Sequence, residues 1–394
     1  MSAKDPTTGA ARPKIARVLD ALNHREPDRV PVGEFFWTNF VRRCKEEWGA
    51  GEDFDPYRYW DLDMIILTPN MDPRITGIEV LENTPERKLI KTGYGATVER
   101  KHTYPMPHFV SFDVRTFEQM EALTFDDPKD PRRYFESIDD QLNAVADELN
   151  LGLPSYVDRV NSHAEDFCVF GSVCEIQEQL WRIVGHDNVY YKMGEDPGRL
   201  ARFIERLGDF LVGIVEGQIS AAGGKLTGFY VWGDVASRQG MMFSPDYWRQ
   251  AHKPQLKRIC DTIHAAGLKV IYHGCGNASA IFEDLIEVGV DAYNPLEAKA
   301  GLDVVEMKRH FGSRWAFNGN INVQILETNN RDAVRREVLR KLNAGKGGGY
   351  ILQSDHSIPS NVDPATYDYM IQLVREYGNY PLELDRYDEP IPKA

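Results

Sequence analysis

The sequence has no long apolar run. Its longest stretches, such as FLVGIV at 210–215, fall far short of the roughly 20 residues that a membrane-spanning helix needs, so no helical span is expected. Cysteine is scarce. Cys44, Cys168, Cys174, Cys260 and Cys275 are odd in number and contain no CxxC pair, which argues against a disulfide framework and fits a reducing compartment. Basic runs are also missing: 46 Lys and Arg stand against 60 Asp and Glu, a net charge of −14, so nucleic acid is not expected as a partner. No apolar segment follows the N-terminal charges as a secretory signal would require, and a cytoplasmic location is the expectation. What is present, 42% hydrophobic and 27% charged residues over 394 positions, is enough to build a large globular core.

Eight short apolar runs recur between turn residues: RVPVGEFF (29–36), LDMIIL (62–67), DFCVFGS (166–172), TGFYVWGD (227–234), LKVIYHG (268–274), VDAYNPL (290–296), RWAFNGNI (314–321) and YILQS (350–354). They are continuous rather than alternating, as strands buried on both faces of a parallel sheet are. Helical patterns separate most of them. Ser244-Pro245 and Asp363-Pro364 place a capping side chain before a proline at the first helical position, starting helices that run to about His264 and Tyr377. Gly223-Gly224 and Gly267 read as left-handed C-terminal caps. This alternation predicts an α/β fold, a (β/α)8 TIM barrel, with an open doubly wound sheet as the competing architecture. Residues 1–14 are expected to be a flexible leader before a helix at about 15–24, and residues 15–394 a single barrel domain. The interval 68–165, after the second strand, is too long for a βα unit. It contains a hairpin at KLIKTGYGATVERKH and helical patterns near 117–124 and 131–149, and is expected to cap the barrel mouth.

Catalytic groups of a TIM barrel sit at the C-terminal ends of its strands. Here those ends read Trp232-Gly233-Asp234, His273-Gly274-Cys275, Asn294-Pro295-Leu296-Glu297, Asn318-Gly319-Asn320 and Gln353-Ser354-Asp355-His356. An imidazole and a thiol two residues apart can bind one zinc ion, although a core histidine beside a buried thiol reads the same way. His356 is the expected third ligand, and Asp355 or Asn277 the expected acceptor for a ligating histidine's other nitrogen. The Gly345–Gly349 run lacks a GK[ST] ending and precedes a strand, so it is read as a turn rather than a phosphate loop. Glu175 and Glu178 open a helix, where acids favour the dipole whatever else they do.

KVIYHGCGNASAIFEDLIEVGVDAYNPLE, FNGNINVQIL and GGGYILQSDHSIPSNV together resemble the uroporphyrinogen decarboxylase superfamily, a TIM-barrel group that includes the zinc-dependent corrinoid methyltransferases. RVPVGEFFWTNF and SPDYWRQAHKPQLKRI are similar to it as well. The decarboxylases themselves carry an arginine-bearing segment after the first strand and an aspartate just after the second. This chain has EFFWTNFVRR and TPN there, which puts tetrapyrrole decarboxylation in doubt. His273 and Cys275 match the H-x-C zinc motif of the methyltransferase branch, whose thiol-methylating members supply a second cysteine where this chain has His356. One thiolate and two imidazoles would leave zinc one net positive charge, suited to activating an oxygen.

The resemblance therefore implies transfer of a methyl group from a small donor, a methoxylated aromatic, to the Co(I) corrinoid of a separate carrier protein. Zn2+ would be held by His273, Cys275 and His356. Asp234 and Glu297 are the expected catalytic residues, with Phe36, Trp232, Asn294, Asn318, Asn320 and Gln353 binding the donor. A decarboxylase-like enzyme, a thiol-methylating enzyme and a non-catalytic tetrapyrrole-binding protein are the alternatives, and a homodimer is left open.

Overall fold

The computed structural model describes residues 11–101, 107–146 and 152–384. Seven parallel strands form one sheet in chain order: β1 (Met64–Ile66), β2 (Cys168–Cys174), β3 (Gly228–Trp232), β4 (Lys269–His273), β5 (Ala292–Asn294), β6 (Ala316–Asn318) and β7 (Tyr350–Ile351). Each pairs in register with the next, for example Cys174 with Trp232, His273 with Asn294 and Asn318 with Ile351. Residues 30–33 supply the eighth stave. Leu352 donates to Pro31 O and Gly33 to Leu352 O on one side, and Asp63 donates to Val32 O on the other, so the sheet closes on itself. This stave makes isolated bridges rather than a full ladder. Pro31 has no N–H to give, and the Val32 amide goes to the Asp63 side chain at 2.7 Å.

The barrel interior is small and close-packed. Met64, Phe170, Tyr230, Ile271, Ala292, Ala316 and Ile351 fill it, and Val18, Ala21 and Leu22 of the helix Ala11–Leu22 join the same cluster from the strands' N-terminal end. That helix begins at Ala11, four residues earlier than the sequence pattern places it, so residues 11–14 belong to it rather than to a leader; residues 1–10 lie outside the described residues. The helix starts and stops otherwise follow the punctuation. Pro197–Ala222 ends at Gly223 with φ +58°, and Pro364–Tyr377 begins after Asp363, whose carboxylate pairs with Arg43 instead of capping its own helix. The helix after Ser244 contains a π-helical turn, Trp248–His252, before its α-helical run Lys253–Ala265.

Within 68–165 the expected hairpin is the central pair of a four-stranded antiparallel sheet, Glu79–Asn83, Arg87–Lys91, Ala96–Lys101 and His108–Phe112. The 117–124 pattern forms Phe117–Ala122 with a Thr116–Gln119 capping box. The 131–149 pattern breaks into Arg132–Phe135 and Gln141–Ala146, with its last residues outside the described ones. Among the described residues no helix is long and apolar enough to cross a membrane.

Candidate metal centre

His273 is the last residue of β4, between Trp232 on one neighbour and Asn294 on the other. Beyond it the chain turns sharply. Gly276 has φ +76°, and a Cβ there would lie 2.5 Å from the Ser237 carbonyl oxygen, so only glycine lets the loop fold back against residues 236–237. The turn brings Cys275 Sγ to 3.5 Å from His273 Nε2. Asp234, two residues past the end of β3, accepts the Cys275 amide at 2.8 Å, and the same oxygen stands 3.8 Å from His273 Nε2. One ligand atom from each of Asp234, His273 and Cys275 lies within 4.8 Å of the others. Donors about 2.0–2.3 Å from a tetrahedral zinc are separated by roughly 3.3–3.8 Å. The three side chains fit such an ion in donor type and in spacing.

Electrostatics point the same way. Burial pushes the Cys275 thiol well above its usual range, and the carboxylates of Asp234 and Glu297 add to the rise. A divalent cation among these groups would reverse that preference and favour the thiolate. Glu297 is buried beside them, accepting the Gly276 amide at 3.1 Å and pairing with Lys299 at 3.3 Å. His273 Nδ1 faces Asn294 Oδ1 at 2.6 Å. That acceptor is neither Asp355, which takes the amides of Ala298 and Val323, nor Asn277, which donates to Ala300 O.

His356 stands apart from this group. Its ring stacks on Trp37 at 6.3 Å between centroids, and it is not among the three residues brought within ligand distance. Asn318 and Asn294 are buried and bonded to each other, Asn294 Nδ2 donating to Asn318 O at 2.9 Å. Asn320 is engaged elsewhere: it donates to Leu296 O and Leu302 O and accepts from Val304 N and the Lys341 ammonium. Gln353 is buried, its Oε1 3.5 Å from the Tyr230 hydroxyl. Trp232 lies 5.0 Å from the His273 ring. Phe36 points away from the site into a cluster with Phe40, Tyr57, Trp60 and Tyr367. Its neighbour Phe35 takes the expected place, 5.6 Å from Trp232 and 6.4 Å from His273. Successive side chains on an extended segment face opposite ways, so one residue of register decides between them.

A cavity of about 540 Å³ has Asp234, one of the three ligand candidates, in its wall. Trp37, Phe109 and Trp181 give it aromatic sides, and Pro107, Phe109 and Leu142 come from the 68–165 insertion. Glu178 and Arg182, also in the wall, form an ion pair, and Glu178 accepts the Trp181 indole N–H at 2.8 Å. His186 stacks on Trp181 at 4.2 Å. Trp181, Arg182 and Phe109 were not singled out from sequence. Trp181 and Arg182 sit on a segment whose pattern reads as ordinary helix, and Phe109 on an edge strand that the apolar pattern does not mark.

The model of the uroporphyrinogen decarboxylase (URO-D) family matches residues 178–377, just over half of the chain. The chain belongs to the uroporphyrinogen decarboxylase family. The match begins at Glu178 and takes in Asp234, the whole His273–Cys275 turn and the ends of the last three strands. Two similar proteins are the uroporphyrinogen decarboxylase of Thermus thermophilus, 26% identical over 185 residues (44% of this chain, 48% of that one), and that of Pseudomonas entomophila, 24% identical over 271 residues (67% and 69%). This family member spans about half the length of most of the curated relatives it matches. Among solved structures, a methyltransferase from Methanosarcina mazei superposes with a TM-score of 0.61 at 17% identity, covering 92% of this chain and 98% of that one, a likeness of fold.

Proposed function

We propose that the protein is a zinc-dependent methyltransferase that moves a methyl group from a small methoxylated aromatic compound to the Co(I) corrinoid of a separate carrier protein. The observation that carries this reading is the gathering of Asp234, His273 and Cys275 within ligand distance of one another, with Asp234 also in the wall of an aromatic-sided cavity. These three residues would hold the zinc, with Asp234 in the place first expected of His356, and the ion supplies Lewis-acid polarisation of the donor's ether oxygen. A carboxylate removes the net positive charge that two imidazoles would have left. The site still has a single soft ligand, and a hard oxygen donor withdraws less Lewis acidity than a second thiolate would.

The chain's own residues do the rest. Trp37, Phe109 and Trp181 offer flat apolar surfaces to an aromatic ring, and a 540 Å³ space is of the size that takes a small organic molecule. The insertion acts as a cap that keeps water from the reacting methyl carbon while leaving a face for the carrier protein. The methyl carbon–oxygen bond would break as the methyl group passes to the partner's corrinoid, and the phenolate would leave into the cavity. The free cysteines agree with a reducing, cytoplasmic setting.

The curated relatives favour a second reading, decarboxylation of an acidic tetrapyrrole. The cavity opposes it, since Arg182, the arginine in its wall, is already paired with Glu178. Asp72, close after β1, spends its carboxylate on the amides of Gly93 and Gln141. The deciding experiment incubates the protein with reduced cobalamin and a panel of methyl donors while the Co(I) absorbance is followed. Loss of the Co(I) signal with a methoxyarene, abolished by Cys275→Ala, is the expected result. Methyl transfer only from methylcobalamin to a thiol would reverse the direction, and carbon dioxide release from uroporphyrinogen would replace the reading altogether.

A further inference from the structure

We propose that Asn294 is the positioning residue that fixes the tautomer of His273, and thereby decides which imidazole nitrogen is offered to a metal; its relevance to catalysis rests on the zinc reading above. A neutral imidazole carries its proton on one nitrogen and a lone pair on the other, and only the nitrogen with the lone pair can ligate. Nε2 faces Cys275 and Asp234, whereas Nδ1 faces Asn294 Oδ1 at 2.6 Å. An amide oxygen only accepts, so Nδ1 must carry the proton and Nε2 is left free to bind.

The orientation of the Asn294 amide is dictated by what lies behind it. Its Nδ2 donates to Asn318 O at 2.9 Å and approaches Asn318 Oδ1 at 3.3 Å. Turning the amide over would set its oxygen against these two acceptors and its NH2 against the imidazole N–H. Asn318 is itself held, because Oδ1 accepts the Tyr230 hydroxyl and Nδ2 reaches Ile351 O at 3.4 Å. Tyr230, Asn318 and Asn294 are all buried, on β3, β6 and β5, so the relay crosses the barrel interior and ends on His273 of β4. Buried polar groups in such a chain have no water to turn to, and each bond constrains the next. Asparagine also differs from the carboxylate often found behind a metal-bound histidine. It orients the ring without adding negative charge and leaves the ion the more electrophilic for it.

Two measurements on the full-length protein test this. Long-range 1H–15N correlation spectra of metal-free, 15N-labelled protein report the tautomer directly, with His273→Gln assigning the signal. His273 is expected as the Nδ1–H form in the wild type and in Asn294→Asp, which keeps an acceptor. It is expected to lose that form in Asn294→Leu. Zinc affinity, read by competition with a chromophoric chelator, should fall about 10–100-fold in Asn294→Leu and recover most of the way in Asn294→Asp. An unchanged tautomer and unchanged zinc affinity in Asn294→Leu would overturn the proposal, as would a wild-type His273 protonated on Nε2. If Asn294→Leu does not fold, the wild-type and Asn294→Asp spectra still decide the tautomer. A wild type that shows the Nδ1–H form yet binds no zinc would remove the metal reading and leave the positioning role standing.

Discussion

Asp234 and Cys275 are joined through the main chain: the carboxylate of one accepts the amide of the other at 2.8 Å across 41 residues of sequence. The bond locks the Cys275 loop to the end of β3 and fixes where the thiol sits relative to His273. The carboxylate oxygen that organises the turn also stands 3.8 Å from His273 Nε2 and within ligand distance of the thiol. Structure and, on the proposed reading, ligation would therefore be combined in one side chain.

That arrangement separates the two ligand sets. Protein purified without chelator is expected to carry about one zinc per chain and to keep it in His356→Ala, which removes only a ring stacked on Trp37. Asp234→Ala, His273→Ala and Cys275→Ala should each lose the metal, because three protein ligands are the usual minimum for a catalytic zinc. Elemental analysis reads the outcome. Zinc lost from His356→Ala and retained in Asp234→Ala would return the third position to the histidine.

Phe36 and Phe35 should respond differently to the same change. Phe36→Ala removes a ring packed against four others. Roughly 3 kcal/mol of stability should go with it, seen as a lower denaturation midpoint, with the zinc content of the folded protein unaltered. Phe35→Ala, beside Trp232 and His273, should act mainly on KM for the methyl donor. The reverse pattern would show that Phe36, and not Phe35, faces the site.

Glu34 supplies a pH dependence of known sign. It is buried just after Gly33, and burial pushes its carboxyl up to about 8. The hydrogen bonds agree with a protonated acid: the single Ser354 hydroxyl proton faces both the His356 carbonyl and Glu34 at 2.5 Å, and if the carbonyl takes it, Glu34 must be the donor. The native state then binds a proton that the unfolded chain releases near pH 4.5. Stability from this group is full below that value and declines as pH rises towards 8. Melting temperatures between pH 5 and 9 (roughly the range bracketing both states) should fall with pH in the wild type and fall less in Glu34→Gln, whose amide can make the same donor contact. Parallel curves for the two proteins would show Glu34 ionised throughout.

Much of the barrel was legible in the chain. Eight apolar runs of strand length mark the eight staves, and the glycines and prolines between them mark where helices begin and stop, because backbone conformation and burial on both faces are local properties. The strand ends were legible for the same reason, and with them His273 and Cys275 as neighbours on a tight turn. The outer strands of the inserted sheet were not. Glu79–Asn83 and His108–Phe112 are partly exposed edges and lack the continuous apolar pattern of the barrel strands.

Sequence alone determined the fold, the rim on which the chemistry gathers and two of the three ligand candidates. Tertiary structure decided the rest: Asp234 over His356 beside them, Phe35 over Phe36 at the site, and Asn294 behind His273 rather than before a substrate. Each of these choices turns on the direction a side chain takes at or near a strand end, which is set by contacts with residues distant in the sequence, such as Asn294 with His273, Asp234 with Cys275 and Phe35 with Trp232. Hydrophobic periodicity records which residues are buried along a strand. It carries no record of which neighbouring loop a buried polar side chain will meet.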